Sequence, residues 1–212
     1  TDRPLQTNLK EMTQIKRDWP DRPLIASVML PMNEASWAKY VPMIEDTGAD
    51  AIELNFGCPH GMSERGMGSA VGQVPEYVQM AAEWCKKHAS IPVIDKLTPN
   101  ITHILHPAKA GGADAVSLIN TINSIMRVDY DSLTMYPTTD GMGTHGGYCG
   151  EAVKPIALNM VAEIARTPDT HDLPISGIGG VTDWRDAVDF IALGATTVQV
   201  CTAAIVYGFK VV

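Results

Sequence analysis

Apolar residues along this chain keep switching between two periods. Leu5, Leu9, Met12, Ile15 and Trp19 recur at helical spacing, which predicts an opening amphipathic helix ended by Pro20 and Pro23. Leu24 to Leu30 (LIASVML) is then a continuous apolar run, the pattern of a strand covered on both faces. Asn33 is placed to cap a helix from Glu34 to about Thr47. The alternation continues with predicted strands at Ala51–Asn55, Pro92–Leu97, Ala113–Ile119, Pro174–Ile178 and Thr197–Cys201. Helices are predicted at Glu76–His88, Ile101–Ala110, Lys154–Arg166 and Asp183–Leu193. Two stretches break the pattern: a glycine-rich loop from Phe56 to Gln73, and an irregular segment from about Ser124 to Gly150.

Strands that each lead to a helix or a loop, with continuous rather than alternating apolarity, predict a parallel α/β sheet. Gly48-Ala49-Asp50, Gly112-Ala113-Asp114 and Gly194-Ala195-Thr196 each close a helix and open a strand, with glycine suited to the left-handed position after a helix. One βα unit is thus repeated, as in a (β/α)8 barrel or an open doubly wound sheet. A full barrel has eight strands and typically ~250 residues. Six strands, a helix in front of the first and little chain behind the last predict a TIM barrel that is incomplete. The expectation is one domain over residues 1–212, without the first two strands and the closing helix.

Charge and cysteine usage narrow the partners. Sixteen basic against 24 acidic residues give −8 with no basic stripe, which argues against nucleic acid and anionic membrane. No apolar run reaches the ~18 residues of a membrane span, and the start TDRPLQTN is too polar for a signal peptide. Cys58, Cys85, Cys149 and Cys201 lie far apart without metal-ligand spacing, which fits a reducing, cytoplasmic setting.

Chemistry-bearing residues gather where the predicted strands end: Asn33; Asn55 and Cys58; Lys96, Thr98 and Asn100; Asn120, Thr121 and Asn123; Gly177, Gly179 and Gly180; Gln199, Cys201 and Thr202. Parallel α/β folds bind ligands at the carboxyl ends of their strands. Gly179-Gly180 alone reads equally as a tight turn. Beside the next strand end, at Cys201-Thr202, it reads as a backbone cradle for a phosphate. Lys96 interrupts an apolar strand, either snorkelling to the rim or supplying a charge to an anionic group. Its neighbour Asp95 should face the helix layer, where a carboxylate is costly without a partner. Cys58, between Gly57 and Pro59, is either a small buried hydrophobe or an acid, since thiols ordinarily titrate near ~8.5 and hold their proton at neutral pH. His60, Glu64 and Arg65 on the same loop read as solvated side chains.

Glu53-Leu54-Asn55-Phe56-Gly57-Cys58-Pro59-His60-Gly61, Glu64-Arg65-Gly66-Met67-Gly68, Lys96-Leu97-Thr98-Pro99-Asn100 and Asn120-Thr121 closely resemble the dihydropyrimidine dehydrogenase family. Gly146-Gly147-Tyr148-Cys149-Gly150, Val153-Lys154-Pro155 and Ile178-Gly179-Gly180 extend the likeness over nearly the whole chain. It is similar in particular to the FMN-binding catalytic subunit of the NAD-dependent enzyme, within the dihydroorotate dehydrogenase-like FMN barrels. The resemblance implies reduction of uracil or thymine to the 5,6-dihydropyrimidine. Cys58 would be the general acid. Asn55, Phe56, Gly57, Asn120 and Thr121 would bind the pyrimidine. Lys96, Gly150, Ile178, Gly179, Gly180, Cys201 and Thr202 would hold FMN. An NAD(H)- and FAD-binding partner subunit and an oligomeric assembly are also implied.

Departures from the family pattern are specific. The family's upstream strands, with an FMN-contacting lysine and a substrate asparagine, have no counterpart in this sequence. Neither have the C-terminal cysteines that hold two [4Fe–4S] clusters. Asp95 stands where the family has a small apolar residue, and the Ile101–Ala110 segment is shorter. The alternatives are a class 1 dihydroorotate dehydrogenase or a non-catalytic assembly piece.

Overall fold

The computed structural model describes residues 3–58 and 66–212. His60, Glu64 and Arg65 therefore lie outside the described residues. The chain opens with α1 (Leu5–Asp18), β1 (Ile25–Val28), α2 (Glu34–Glu45) and β2 (Ala51–Asn55), then α3 (Ser69–Gly72) and α4 (Pro75–His88). β3 (Val93–Lys96), α5 (Leu105–Ala110) and β4 (Ala115–Leu118) follow. An arm of short antiparallel strands comes next: β5 (Ile122–Ser124), β6 (Arg127–Val128), β7 (Met135–Tyr136), β8 (Thr138–Thr139), β9 (Met142–Gly143) and β10 (Gly146–Tyr148). The chain closes with α6 (Lys154–Arg166), β11 (Ile175–Ile178), α7 (Trp184–Ala192), β12 (Thr197–Gln199) and α8 (Thr202–Tyr207).

One six-stranded sheet runs in the order β1-β2-β3-β4-β11-β12, and every pairing in it is parallel. Its two faces carry different residues, because side chains alternate along a strand. Ala26, Val28, Ile52, Leu54, Val93, Val116, Leu118 and Ile175 are buried. They pack under the helices with Trp37, Val41, Val78, Ala157, Val161, Ile164 and Phe190. The opposite face presents Glu53 and Asn55, Lys96, Ser117, Ser176 and Gln199. The sheet curls around that polar face. β2 and β12 stand four places apart, roughly 19 Å if the sheet were flat, yet Gln199 Nε2 lies 3.2 Å from Glu53 Oε2. This is the predicted incomplete α/β barrel.

Local signals act as expected at several boundaries. Asn33 Oδ1 accepts from Ser36 N at 3.0 Å and starts α2. Asp183 and Asp186 form a reciprocal capping box that starts α7. Gly48, Gly112 and Gly194, which open three strands, have φ of 83°, 62° and 111°, a region closed to most side chains.

Three expectations are corrected. α5 begins at Leu105, not Ile101. The Asn100 amide donates to Thr98 Oγ1 at 3.0 Å and to Thr121 O at 3.1 Å, and such local bonds compete with a helix. The segment after Ser124 is the antiparallel arm rather than irregular chain. A six-residue helix, α8, follows the last strand, where no helix was expected. Among the described residues, no helix is long and apolar enough to cross a membrane.

Candidate active site

Two asparagines meet where β2 and β4 end, above the end of β3. Asn120 Nδ2 donates to Asn55 Oδ1 at 2.8 Å, and Gly57 N donates to the same oxygen at 3.1 Å. Thr121 N donates to Asn120 Oδ1 at 2.8 Å. The approach requires glycine at 57, because a Cβ there would overlap Asn120 Cβ. Phe56 turns its ring into the core at 3% exposure, leaving its backbone as the part that could meet a ligand. Cys58 is half-buried, and its carbonyl accepts from Ser69 N at 3.0 Å. A Cβ on Gly68 would come within 3.2 Å of both Cys58 Cβ and Met29 Sδ.

Beside the amide pair lies a cavity of ≈ 380 Å³, within the ~300–1,000 Å³ of small-molecule and cofactor sites. Lys96, Asn120, Thr121, Gly150, Ile178, Gly179, Gly180, Cys201 and Thr202 all line it. Asn55, Phe56, Gly57 and Cys58 do not; they form the neighbouring strand end and loop. One wall is almost pure backbone. Gly179 and Gly180 have φ of 140° and 72°, and a Cβ on Gly180 would come within 2.8 Å of Gly150 O and 2.9 Å of Lys154 Cβ. The turn after β11 can therefore seat against the start of α6 only as glycine. Such a wall lets an anionic group approach main-chain N–H groups closely.

Charge at the floor comes from inside the curl. Lys96 Nζ lies 3.3 Å from Glu53 Oε1, with both side chains largely buried. Gln199 Nε2 reaches Glu53 Oε2, Ser117 Oγ at 2.9 Å and Ser176 Oγ at 3.0 Å. Glu53 was not among the residues singled out from sequence. The signal was available: it lies two residues before Asn55, so it shares that residue's face, and it is a charge inside an apolar strand. At the rim, Lys154 bonds Asp186 at 2.5 Å and Asp189 at 2.8 Å, which raises the ammonium's pKa. Asp186 is held far below the usual carboxylate range: burial works against it, but Lys154, Thr182 and the Asp183 N–H outweigh that. On the outer face of β3, burial pushes Asp95 up to about 8. Among the described residues, no group of three or more His, Cys, Asp or Glu side chains could hold a metal ion.

A ligand-free dihydroorotate dehydrogenase structure from Eimeria tenella superposes with a TM-score of 0.69 over 96% of this chain and 62% of that one. At 20% identity it shows the fold alone. The sequence model described as dihydroorotate dehydrogenase matches residues 5–212. The chain belongs to the dihydroorotate dehydrogenase family. Within it, the chain is 46% identical over 215 residues to the chloroplastic dihydropyrimidine dehydrogenase (NADP(+)) of Arabidopsis thaliana. It is 42% identical over 212 residues to NAD-dependent dihydropyrimidine dehydrogenase subunit PreA of Escherichia coli K12. Each alignment covers 99% of this chain and 50% or 51% of the relative. The catalytic subunit of dihydroorotate dehydrogenase B (NAD(+)) from Thermococcus kodakarensis is 43% identical over 167 residues, 77% of this chain and 51% of that protein. This family member thus spans about half the length of the curated relatives it matches.

Proposed function

We propose that this chain is the flavin-binding part of a cytoplasmic dihydropyrimidine dehydrogenase that reduces uracil or thymine to the 5,6-dihydro base. The observation that carries the reading is the Asn55–Asn120 pair beside a glycine-walled cavity with a lysine at its floor. The residues present suit FMN. Gly179, Gly180 and Gly150 offer backbone to its phosphate, Cys201 and Thr202 stand at the adjoining strand end, and Lys96 supplies positive charge. Bound there, reduced FMN would supply a hydride to C6 of the ring.

The protein's own groups do the remainder. Two donors already fill the lone pairs of Asn55 Oδ1, so Asn55 can bind a base only by donating from its NH₂. Asn120 has given one N–H to Asn55, and its Oδ1 accepts from Thr121 N at 2.8 Å and from the Thr121 hydroxyl at 3.5 Å. That leaves one donor and, once the long hydroxyl bond turns away, one acceptor. That pairing matches the alternating N–H and C=O edge of a pyrimidine. Cys58 would transfer its thiol proton to C5, completing addition of hydride and proton across the C5=C6 bond, and would regain a proton from solvent. An NAD(H)- and FAD-binding subunit would deliver the electrons in an oligomeric assembly. Two [4Fe–4S] clusters would lie in the parent protein outside residues 1–212.

Likeness to dihydropyrimidine dehydrogenases over 99% of the chain, against 77% for the dihydroorotate enzyme, favours the pyrimidine reductase. The second reading, dihydroorotate oxidation, rests on that 43% identity and on the family match. Assaying the full-length protein with uracil and with dihydroorotate separates them; turnover of dihydroorotate alone would reverse the assignment. Cys58→Ala is expected to abolish turnover while flavin stays bound. Normal turnover in that variant would remove the thiol from the mechanism.

A further inference from the structure

Behind the lysine at the cavity floor stands a carboxylate that the proposed reaction does not use. Lys96 lines the cavity, and Glu53, 3.3 Å behind it, does not. Glu53 sits on β2 and is tied across the interior of the curl to Gln199 on β12, a residue 146 positions away. Gln199 is anchored in turn by Ser117 on β4 and Ser176 on β11, and Ser176 also accepts from Thr197 Oγ1 at 2.9 Å. Four strands thus meet at the Gln199 amide, whose longest bond reaches the Glu53 carboxylate. The only charged neighbour of that carboxylate among the described contacts is the lysine. A buried carboxylate paired with a buried ammonium holds it in place and offsets its charge. A solvated rim pair would do neither.

We propose that Glu53 is a positioning residue that fixes Lys96 at the cavity floor and reduces the positive charge Lys96 presents to the flavin. This rests on the reading of the cavity as an FMN site. A cation near a flavin favours its anionic reduced form, and a carboxylate behind that cation weakens the preference. Glu53→Gln keeps the shape and a hydrogen-bonding partner for Gln199 but removes the negative charge. Reduced FMN should then gain about tenfold over oxidised FMN in relative affinity, a rise of about 30 mV in the midpoint potential of the bound flavin.

The test has two arms on the full-length protein. The first is a denaturation cycle on the apoprotein with Glu53→Gln, Lys96→Met and the double variant. Either single change leaves an uncompensated buried charge, so the double variant should lose less stability than the two single losses summed. Additive losses would overturn the pairing, whether or not flavin binds. The second is a spectroelectrochemical titration of the FMN-loaded protein. A potential that rises in Glu53→Gln supports the proposal; one that stays or falls, with the cycle still coupled, overturns the flavin half of it. A wild-type protein that takes up no FMN would sink the cofactor reading and the flavin half together, with the pairing still judged by the cycle.

Discussion

β3 carries two charges side by side, and they meet opposite fates. Lys96 points into the curl, where Glu53 lies 3.3 Å away and a relay of amide and hydroxyl groups holds that carboxylate. Asp95 points the other way, under the helices, at 1% exposure, and neither carboxylate oxygen has a hydrogen-bond partner among the described residues. The cation whose charge reaches it, Lys86, is occupied by Asp114 Oδ1 at 2.8 Å and Gly112 O at 3.1 Å. Burial therefore wins, and Asp95 is pushed up to about 8 and held as the neutral acid near neutral pH. One strand shows both solutions to a charge out of water: supply a partner, or keep the proton.

The contrast can be broken most forcefully through Gly111. A Cβ there would overlap Asp95 Oδ2, so Gly111→Ala should cost about 2–3 kcal/mol in chemical denaturation. The residue is otherwise in helical geometry, where alanine is favoured by about 1 kcal/mol. In an Asp95→Ala background the penalty should disappear. A full penalty in that background would mean the acid is not what fills the space.

A pH series sharpens the comparison further. The folded pKa of Asp95 is raised above its unfolded value, from 3.8 to about 8. Between those values the unfolded chain holds fewer protons, so the stability this group contributes is whole below about pH 4 and drains away as pH climbs to about 8. Asp95→Val should remove that slope and leave the protein more stable than wild type at pH 8. Parallel wild-type and variant curves would show that the carboxyl does not titrate as burial dictates.

The smallest effect is expected from the partly exposed rim pair, Lys154 with Asp186. Lys154→Met should cost about 1 kcal/mol. Asp186 has a depressed pKa, so its stabilisation is present above the ordinary carboxylate range and is lost only in strong acid. The cost of the substitution should therefore stay level from pH 5 to 8, the window in which the Asp95 contribution fades.

Much of this was legible in the chain. Ala51–Asn55 was bounded correctly because a glycine turn opens that strand and Phe56-Gly57 closes it. The grouping of Lys96, Asn120, Gly179, Gly180, Cys201 and Thr202 around one cavity followed from strand ends, since parallel strands all finish on the same side, whereas Gly150 came only from the family resemblance. Asp95 facing the helices followed from its parity with Lys96. The link between Glu53 and Gln199 did not follow, because it depends on how far the sheet curls, and nothing local encodes that. The arm between Ile122 and Tyr148 was missed because strands of two or three residues are too short to show a period. α5 lost its first turn to side chains, Thr98 and Asn100, whose bonds are local but whose anchor at Thr121 is not.

Gly57 and Asn120 form a latch seated in its keeper. The carbon of Asn120 occupies the volume that any side chain at 57 would need, and the amide of Asn120 is what fastens Asn55. Neither position can drift alone without opening the catch. If this pair reads a pyrimidine edge as proposed, preference for a different edge would have to come from exchanging residues on two strand ends at once.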